Sequence, residues 1–242
     1  MWLIPRIFIA EFLQSSNPWN QKNVLKGREK MRDGADITIS QILSSRLCHD
    51  LIAPISAVKT GLELLSEIPP GETDTQVLDL IMHSAESLSR RLTFFRFAFG
   101  YSSVNHINAL NDVHVIIDEY LDPKKHQLSW QVDSGFIPLS EELKFWAKLT
   151  ANLVSCCVDA TPYGGKIRVQ FDHSGNLLLA LESQTSTLQA EVKATLEVGR
   201  PSHEVTAHTV QAYLCYWWLQ NLGKRLIIEE HPNQLLLYTA PL

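Results

Sequence analysis

The stretch LSSRLCHDLIAPISAVKTGLELLSEIPPGETDTQVLDLIMHSAESLSRRLTFFRFAF, residues 43–99, decides the fold of this chain. Apolar residues recur in it at spacings of three and four, which is typical of one face of an amphipathic helix. The first series is Leu43, Leu47, Leu51, Ile55, Val58, Leu62 and Leu65, and the second is Leu78, Ile81, Ala85, Leu88, Leu92, Phe95 and Phe99. Between them, Pro69-Pro70-Gly71 ends one helix, and the pattern from Thr73 to Gln76 resembles a capping box that begins the next. The stretch predicts a helical hairpin with arms about 40 Å long.

Two helices cannot shield two apolar stripes from water on their own. Pairing two hairpins in a four-helix bundle would bury both stripes, so the pattern predicts a homodimer. The alternative is that the hairpin packs against the C-terminal part of its own chain. The spacing of the stripes favours the bundle, because it suits the packing of long neighbouring helices.

After residue 103 the pattern changes to a mixture of helices and strands. Helices are predicted near 108–121, 140–160, 189–197 and 204–221, and strands near 127–132, 166–171, 177–181, 225–230 and 235–239. A sheet covered by helices on one side follows from this mixture, so the chain is assigned to the α+β class. The predicted domains are a helical hairpin at 36–102 and an α/β sandwich at 106–242. Residues 1–35 are predicted to be a poorly ordered N-terminal extension.

The composition excludes several functional classes. The 242 residues are 45% hydrophobic, which is enough for a substantial core, and the net charge of −5 does not favour a nucleic-acid partner. The sequence contains no run of about 18 apolar residues, so no membrane span is predicted. The cysteines form no CxxC pair and have no metal-ligand spacing with a histidine, which favours free thiols in the cytoplasm and no metal site.

His49 is the strongest candidate for a functional residue. At 100° per residue it lies about 170° from the centre of the stripe between Leu47 and Leu65, so its ring is expected to face solvent. Its neighbours on that face are small or apolar, as on a docking surface, and they are Ile42, Ser45, Ile52, Ala53 and Ser56. The alternative is an ordinary surface histidine, since the chain has nine histidines.

The residues that follow His49 are unusual for a helix. Pro54 removes one backbone hydrogen bond at a cost of about 3 kcal/mol, which predicts a bent or loosened turn close to the histidine. Asp50 can set the tautomer of the ring or accept its proton. A neutral imidazole beside a carboxylate suits nucleophilic attack on a phosphoryl group, and the phosphohistidine formed can pass that group to an aspartate.

The run from Ser45 to Ile55, followed by Gly61-Leu62-Glu63-Leu64-Leu65, resembles the ChpT histidine phosphotransferases of alphaproteobacteria. Its core, His49–Pro54, also resembles the H-box of histidine kinases, in which an acidic residue follows the histidine and a proline lies five positions on. The similarity covers roughly residues 38–231. The resemblance implies a dimer with a helical hairpin and a degenerate kinase ATPase-like domain. It also implies a relay from the receiver domain of a hybrid kinase to response regulators, typically in the CckA to CtrA pathway.

The kinase resemblance raises the question of a nucleotide site. Residues 152–165 resemble the N-box of the kinase ATPase domain, which has two asparagines four residues apart, the second being a magnesium ligand. Asn152 is present, but the second position holds Cys156, and a thiol suits magnesium poorly. The Asp-x-Gly-x-Gly turn and the glycine-rich lid are also missing from the sequence. Asn152, Cys156 and Asp159 are therefore interpreted as remnants of a lost site, with an ordinary surface acid as the alternative for Asp159.

These features together predict a cytoplasmic histidine phosphotransferase that acts through His49 and binds no cofactor itself, with Mg²⁺ expected in the partner receiver. The residues expected to dock a receiver or to support His49 are Arg46, Asp50, Ile52, Ala53, Pro54, Ser45 and Ser56. Ala53 stands where many kinases carry a polar residue that positions water, so strong phosphatase activity is not expected. Two alternatives remain open: a divergent ATP-using histidine kinase, and a scaffold that docks receivers without accepting phosphate.

Overall fold

The computed structural model describes residues 18–69, 72, 74–100 and 109–242, with side chains from residue 37 onward except at positions 140 and 141. Its first two elements are long helices, α1 at Pro18–Ser66 and α2 at Thr75–Phe99, which pack against each other as the predicted hairpin. None of the helices within the described ranges is long and apolar enough to cross a bilayer.

Helix α1 begins earlier than the apolar pattern predicted. The structure differs from the expected extension at residues 18–35, because their backbone continues α1. Pro18 suits the first turn of a helix, where no amide hydrogen is needed, and no further proline occurs before Pro54. Residues 19–35 are rich in lysine and arginine, which favour helix. Residues 1–17 of the expected extension lie outside the described residues.

The hairpin is closed by a cap and a close helix contact. Asp74 Oδ1 accepts hydrogen bonds from the backbone amides of Gln76 at 2.9 Å and Val77 at 3.2 Å, so Asp74 is the N-cap of α2. The expected partner of Gln76 in a capping box, Thr73, lies outside the described residues. Near the closed end, Gly61 of α1 approaches α2 so closely that a Cβ atom there would overlap the side chain of Ile81.

The rest of the chain alternates helices and strands, as predicted. Its helices are α3 at Leu110–Tyr120, α4 at Ser140–Asp159, α5 at Ala190–Val198 and α6 at Val210–Asn221. Its strands are β1 at His126–Val132, β2 at Gly165–Phe171, β3 at Leu177–Glu182, β4 at Lys224–His231 and β5 at Gln234–Pro241. The described residues therefore contain six α-helices and five strands, and the α+β class is confirmed.

The five strands form one mixed sheet in the order β1-β2-β3-β5-β4. Strands β1 and β2 run parallel, joined by a crossover through α4, and the other neighbouring pairs are antiparallel. Alternate side chains of the central strands are buried in one core with α4 and α6. In β2, for example, Ile167, Val169 and Phe171 are buried while Lys166 and Arg168 are exposed. The sheet is thus covered by helices on one face.

Helix α6 starts later than the predicted position near residue 204. Residues Ser202–Glu204 form a 3₁₀ turn instead. A further turn follows, in which the Thr206 amide donates to Thr209 Oγ1 at 3.0 Å. Threonine side chains favour such turns over helix interiors, so the regular helix begins only at Val210.

The C-terminal end of α2 is built into the core of the α/β part. Phe94, Phe95, Phe97 and Ala98 are all buried there. Lys148 Nζ of α4 donates hydrogen bonds to the carbonyl oxygens of Phe97 at 2.9 Å and Gly100 at 2.7 Å. These bonds give partners to carbonyl groups at the end of α2 that have none within the helix. Burial lowers the pKa of Lys148 to about 8. These contacts set the position of the hairpin against the sheet.

Part of each apolar stripe of the hairpin stays exposed. The exposed fraction is 50% for Ile55, 53% for Leu62 and 49% for Leu92. The neighbouring stripe residues are less exposed and pack between α1 and α2. The C-terminal turns of α2 do pack on the chain's own α/β part, as the alternative to the bundle required. That packing leaves the rest of the hairpin with an uncovered apolar face.

Candidate functional site

His49 lies on the outward face of α1, and 80% of its side chain is exposed, as its helical phase predicted. Its Nδ1 atom lies 3.2 Å from Asp50 Oδ1. A carboxylate oxygen can only accept a hydrogen bond, so this contact requires the proton on Nδ1. The lone pair of Nε2 is then free to act as a nucleophile.

Asp50 is held more firmly than His49, because only 15% of its side chain is exposed. Its second oxygen, Oδ2, accepts a 2.7 Å hydrogen bond from Arg46 Nε. The two residues are four positions apart, so one turn of α1 brings them together. Asp50 is therefore fixed by Arg46 on one oxygen while it orients His49 with the other.

Arg46 also joins α1 to the α/β part. Its Nη2 donates a 2.6 Å hydrogen bond to Oδ2 of Asp159, at the end of α4. Burial alone would lower the pKa of Arg46, but the carboxylates of Asp159 and Asp50 outweigh that effect and raise its pKa. Desolvation raises the pKa of Asp159, and the positive charge of Arg46 opposes that rise. About half of the Asp159 side chain is exposed, at 52%.

The other residues predicted to support His49 lie along the same helix. Four of them are exposed beside it, namely Ser45, Ile52, Ala53 and Ser56. Pro54 is half-buried inside α1, which continues past it to Ser66. The sequence analysis did not single out Cys48, an exposed free thiol next to His49.

Asn152, one of the three expected remnants of a nucleotide site, is fully buried and lies among structural contacts. Its Nδ2 donates to the carbonyl oxygen of Lys148 at 2.9 Å, and its Oδ1 accepts from Gln211 Nε2 at 3.0 Å. A longer contact of 3.4 Å joins Nδ2 to Ala98 O at the end of α2. The side chain thus joins α4 to α2 and α6, and its amide groups are occupied.

Cys156 and Asp159, the other two expected remnants, line a cavity of about 60 Å³ beside Arg46. Cys156 is buried with Cys157 and Cys215, and burial raises the pKa of both of these neighbouring thiols. Of the three remnants, only Asp159 is hydrogen-bonded to the residues around His49, through its contact with Arg46.

A larger cleft of about 390 Å³ lies on the other side of Asp159, between α2 and the start of β1. Arg90, Arg91, Lys125 and His126 contribute to its lining. No group of three or more His, Cys, Asp or Glu side chains within the described part of the chain is arranged to hold a metal ion.

The chain matches one family model and is similar to known phosphotransferases. Residues 110–234, just over half of the chain, match the family model described as the histidine phosphotransferase C-terminal domain. The protein phosphotransferase ChpT of Brucella abortus (strain 2308) is 26% identical over 196 residues, which cover 79% of this chain and 90% of the relative. A solved structure described as a bacterial phosphotransferase superposes with a TM-score of 0.70 at 26% identity, covering 84% of this chain and 96% of that one.

Proposed function

Because the chain belongs to the histidine phosphotransferase family and resembles ChpT, we propose that it relays phosphoryl groups between receiver-domain aspartates through a phosphohistidine at His49. A phosphotransferase activity in general follows from its relatives. The observation that carries the assignment to His49 is its geometry: an exposed ring whose Nδ1 is held by Asp50 while Nε2 stays free.

In the proposed step the lone pair of His49 Nε2 attacks the phosphorus of an aspartyl phosphate in a receiver. The N–P bond forms while the P–O bond to the receiver's carboxylate breaks, and the bonding electrons leave with that carboxylate. The Nδ1 proton stays in its hydrogen bond to Asp50, whose charge balances the positive ring. Transfer to the next receiver is the same step in reverse, so neither water nor nucleotide is consumed.

The surface around His49 suits a protein partner. Ser45, Ile52, Ala53 and Ser56 are exposed, uncharged and small or apolar, and a receiver could approach the ring over them. We propose that this surface accepts the receiver of a CckA-like hybrid kinase and CtrA-like response regulators in the cytoplasm. Mg²⁺ bound by the receiver would stabilise the charge on the phosphoryl oxygens.

The active form is proposed to be a homodimer built on the hairpin, residues 36–102. Ile55 and Leu62 are seven residues apart and exposed on α1, and Ala85 and Leu92 repeat that spacing on α2. Exposed apolar residues with a seven-residue spacing are what a four-helix bundle buries. A second hairpin would cover them without covering His49, which lies on another face of α1.

The α/β part, residues 106–242, is proposed to act without ATP. The amide of Asn152 is engaged by Lys148 and Gln211. The cavity lined by Cys156, which stands at the position of the kinase magnesium ligand, measures about 60 Å³, whereas small-molecule sites typically occupy roughly 300–1,000 Å³. Both observations support a phosphoryl supply from another protein rather than from a nucleotide.

Incubation with a receiver carrying a radioactive phosphoryl group tests the proposal directly. The wild-type chain should become labelled, and His49→Ala should reduce labelling to background because the variant lacks the proposed nucleophile. His83→Ala is the matched control, since His83 is an exposed histidine on α2, and it should label like the wild type. Label retained by His49→Ala would refute the assignment.

Two further measurements separate the alternatives. A divergent kinase would bind ATP with micromolar affinity in a direct titration and would label itself from ATP. A scaffold would bind receivers equally well as wild type and as His49→Ala, with no labelled intermediate in either. The proposed relay requires a labelled wild-type chain and no such nucleotide binding.

A further inference from the structure

We propose that Asp159 is a positioning residue for phosphoryl transfer, which acts on His49 through Arg46 and Asp50. The inference rests on the proposed function of His49 and adds a residue from the α/β part to its site. Asp159 touches neither the ring nor the phosphoryl group. Its part is to hold Arg46 so that Asp50 keeps one oxygen for the His49 Nδ1 proton.

The four side chains form one continuous hydrogen-bonded chain. His49 Nδ1 lies 3.2 Å from Asp50 Oδ1, Asp50 Oδ2 accepts from Arg46 Nε at 2.7 Å, and Arg46 Nη2 donates to Asp159 Oδ2 at 2.6 Å. Different nitrogen atoms of Arg46 bind the two carboxylates, so the guanidinium is shared between Asp50 and Asp159. Only 17% of the Arg46 side chain and 15% of that of Asp50 are exposed, so water screens these charges poorly.

Charge balance explains why the second carboxylate matters. Arg46 alone would withdraw charge from Asp50 and make it a weaker acceptor for the His49 proton. Asp159 offsets the positive charge of Arg46, and the cluster of two carboxylates and one guanidinium keeps a net negative charge. That charge favours the positive ring that forms when Nε2 bonds to phosphorus.

The shape of the Arg46 guanidinium gives a second reason why Asp159 matters for the contact between Asp50 and His49. A guanidinium that loses one carboxylate can satisfy its donors by binding the other one with both arms, the arrangement that arginine favours with carboxylates. In this site such a rearrangement would bring Arg46 onto both oxygens of Asp50. Asp50 Oδ1 would then be shared with Arg46, and the Nδ1–H form of His49 would lose its partner.

A second consequence concerns the two parts of the molecule. Arg46 belongs to the hairpin, whereas Asp159 ends α4 of the α/β part, 113 residues further along the chain. The α/β part therefore contributes to the position of the hairpin nucleophile by way of Arg46 and Asp50. This gives an ATPase-like domain that needs no nucleotide a role within the transfer site.

The test uses the full chain with Asp159→Asn, which keeps the shape of the side chain and removes its charge. The control is Glu142→Gln, the same change at an exposed position on α4 away from the site. Single-turnover transfer from a phosphorylated receiver is measured at saturating receiver, together with receiver affinity. The tautomer of His49 is read from its ¹⁵N chemical shifts in the absence of any receiver.

Asp159→Asn should slow saturated transfer about tenfold, the effect of losing one charge-assisted contact, while receiver affinity changes little. The Nδ1–H form of His49 should become less populated, and Asp159→Glu should restore both properties in part. Glu142→Gln should match the wild type in each measurement.

Wild-type transfer and an unchanged tautomer in Asp159→Asn would overturn the inference. So would a loss of receiver affinity with saturated transfer unchanged, because Asp159 would then be a docking residue. Failure of the proposed function looks different, since the wild-type chain itself would then take no label at His49.

Discussion

Tyr120, the last residue of α3, is a partly buried side chain whose pKa depends on its contacts. Its ring stacks on Phe94 of α2 with 3.8 Å between the ring centroids, and its hydroxyl lies 3.4 Å from Ser155 Oγ. Burial raises the pKa of Tyr120 to about 12, although the contact with Ser155 opposes the rise. The folded chain therefore holds the phenol proton more tightly than the unfolded chain does.

The raised pKa predicts a defined alkaline sensitivity. Between about pH 10, where a free phenol ionises, and about pH 12, the unfolded chain has lost a proton that the folded chain retains. The free energy of unfolding should fall in this window by up to about 1.4 kcal/mol per pH unit, and the contribution is fully present below it. Tyr120→Phe should show a smaller fall in urea unfolding measured across the same window.

At neutral pH Tyr120→Phe should stay within about 1 kcal/mol of the wild type, because it keeps the stacked ring and loses one long hydrogen bond. Tyr163→Phe is the control, since Tyr163 is 85% exposed and should leave the alkaline fall unchanged. An identical fall in the wild type and in Tyr120→Phe would contradict the prediction.

The sequence could predict the relative positions of the site residues only where those residues lie on the same helix. Helical phase alone put His49 on the exposed face, and the four-residue spacing of Arg46 and Asp50 makes their contact expected for a helix. The partner of Arg46 had no such signal. Asp159 is 113 residues away, and its place beside Arg46 depends on how α4 packs on the hairpin.

Among the elements, the hairpin depends on one close approach between α1 and α2. Gly61 lets the two backbones come together, because any Cβ atom at this position would overlap Ile81. Glycine is unfavourable inside a helix by about 1 kcal/mol relative to alanine. Its presence is therefore explained by packing between the helices and not by the preference of α1.

Gly61→Ala is expected to destabilise the chain. The added methyl group meets Ile81 near the root of its side chain and forces it to shift, at a cost of about 2–3 kcal/mol that exceeds the gain of about 1 kcal/mol in helix propensity. Urea unfolding should show a net loss of about 1–2 kcal/mol. In an Ile81→Ala background the same substitution should be neutral or stabilising, because the obstructing side chain is gone.

Thr60→Ala provides the control, as an exposed neighbouring position on the same helix, and should change stability by less than about 0.5 kcal/mol. Wild-type stability in Gly61→Ala would argue against the close contact. So would an equal effect of the substitution with and without Ile81.

The type of each element was predictable, because the spacing of apolar residues differs between helices and strands. The residues at which the elements begin and end were harder to predict. The strands at 166–171 and 177–181 match β2 and β3 to within one residue at each end. The start of α6 was missed because Thr206 and Thr209 bond each other in a turn. The start of α1 was missed because polar residues can extend a helix without adding an apolar stripe.

At the scale of the whole molecule, the exposed apolar face of the hairpin leads to a prediction about assembly. The wild-type chain should have twice its 27.4 kDa mass in light scattering after size-exclusion chromatography. Leu62→Glu combined with Leu92→Glu should yield the monomer. Each buried leucine contributes about 1.5–3 kcal/mol, and two charges per chain would have to be desolvated in the bundle.

Val115→Glu is the control, because it places the same charge on another exposed apolar residue, on α3, and should remain dimeric. A monomeric wild type would contradict the prediction, as would a double variant that stays dimeric. Size alone decides the matter, so the result does not depend on phosphoryl transfer.

The overall arrangement could be predicted in its parts but not in its assembly. Apolar periodicity predicted a hairpin and a sheet covered by helices, and both are present. It could not show that Phe94, Phe95 and Phe97 enter the core of the α/β part. Apolar aromatic residues on α2 could equally have packed against α1 or against a second hairpin. Contacts between distant segments depend on packing, which the spacing of residues along one helix does not encode.

The Lys148 contacts at the end of α2 bear on the order in which the chain can fold during its synthesis. The hairpin leaves the ribosome first, yet the carbonyl oxygens of Phe97 and Gly100 receive their donor from a residue made about fifty positions later. Until α4 emerges, the last turn of α2 lacks both that donor and the apolar surface for its phenylalanines. A nascent chain halted before α4 would therefore expose the aromatic end of α2.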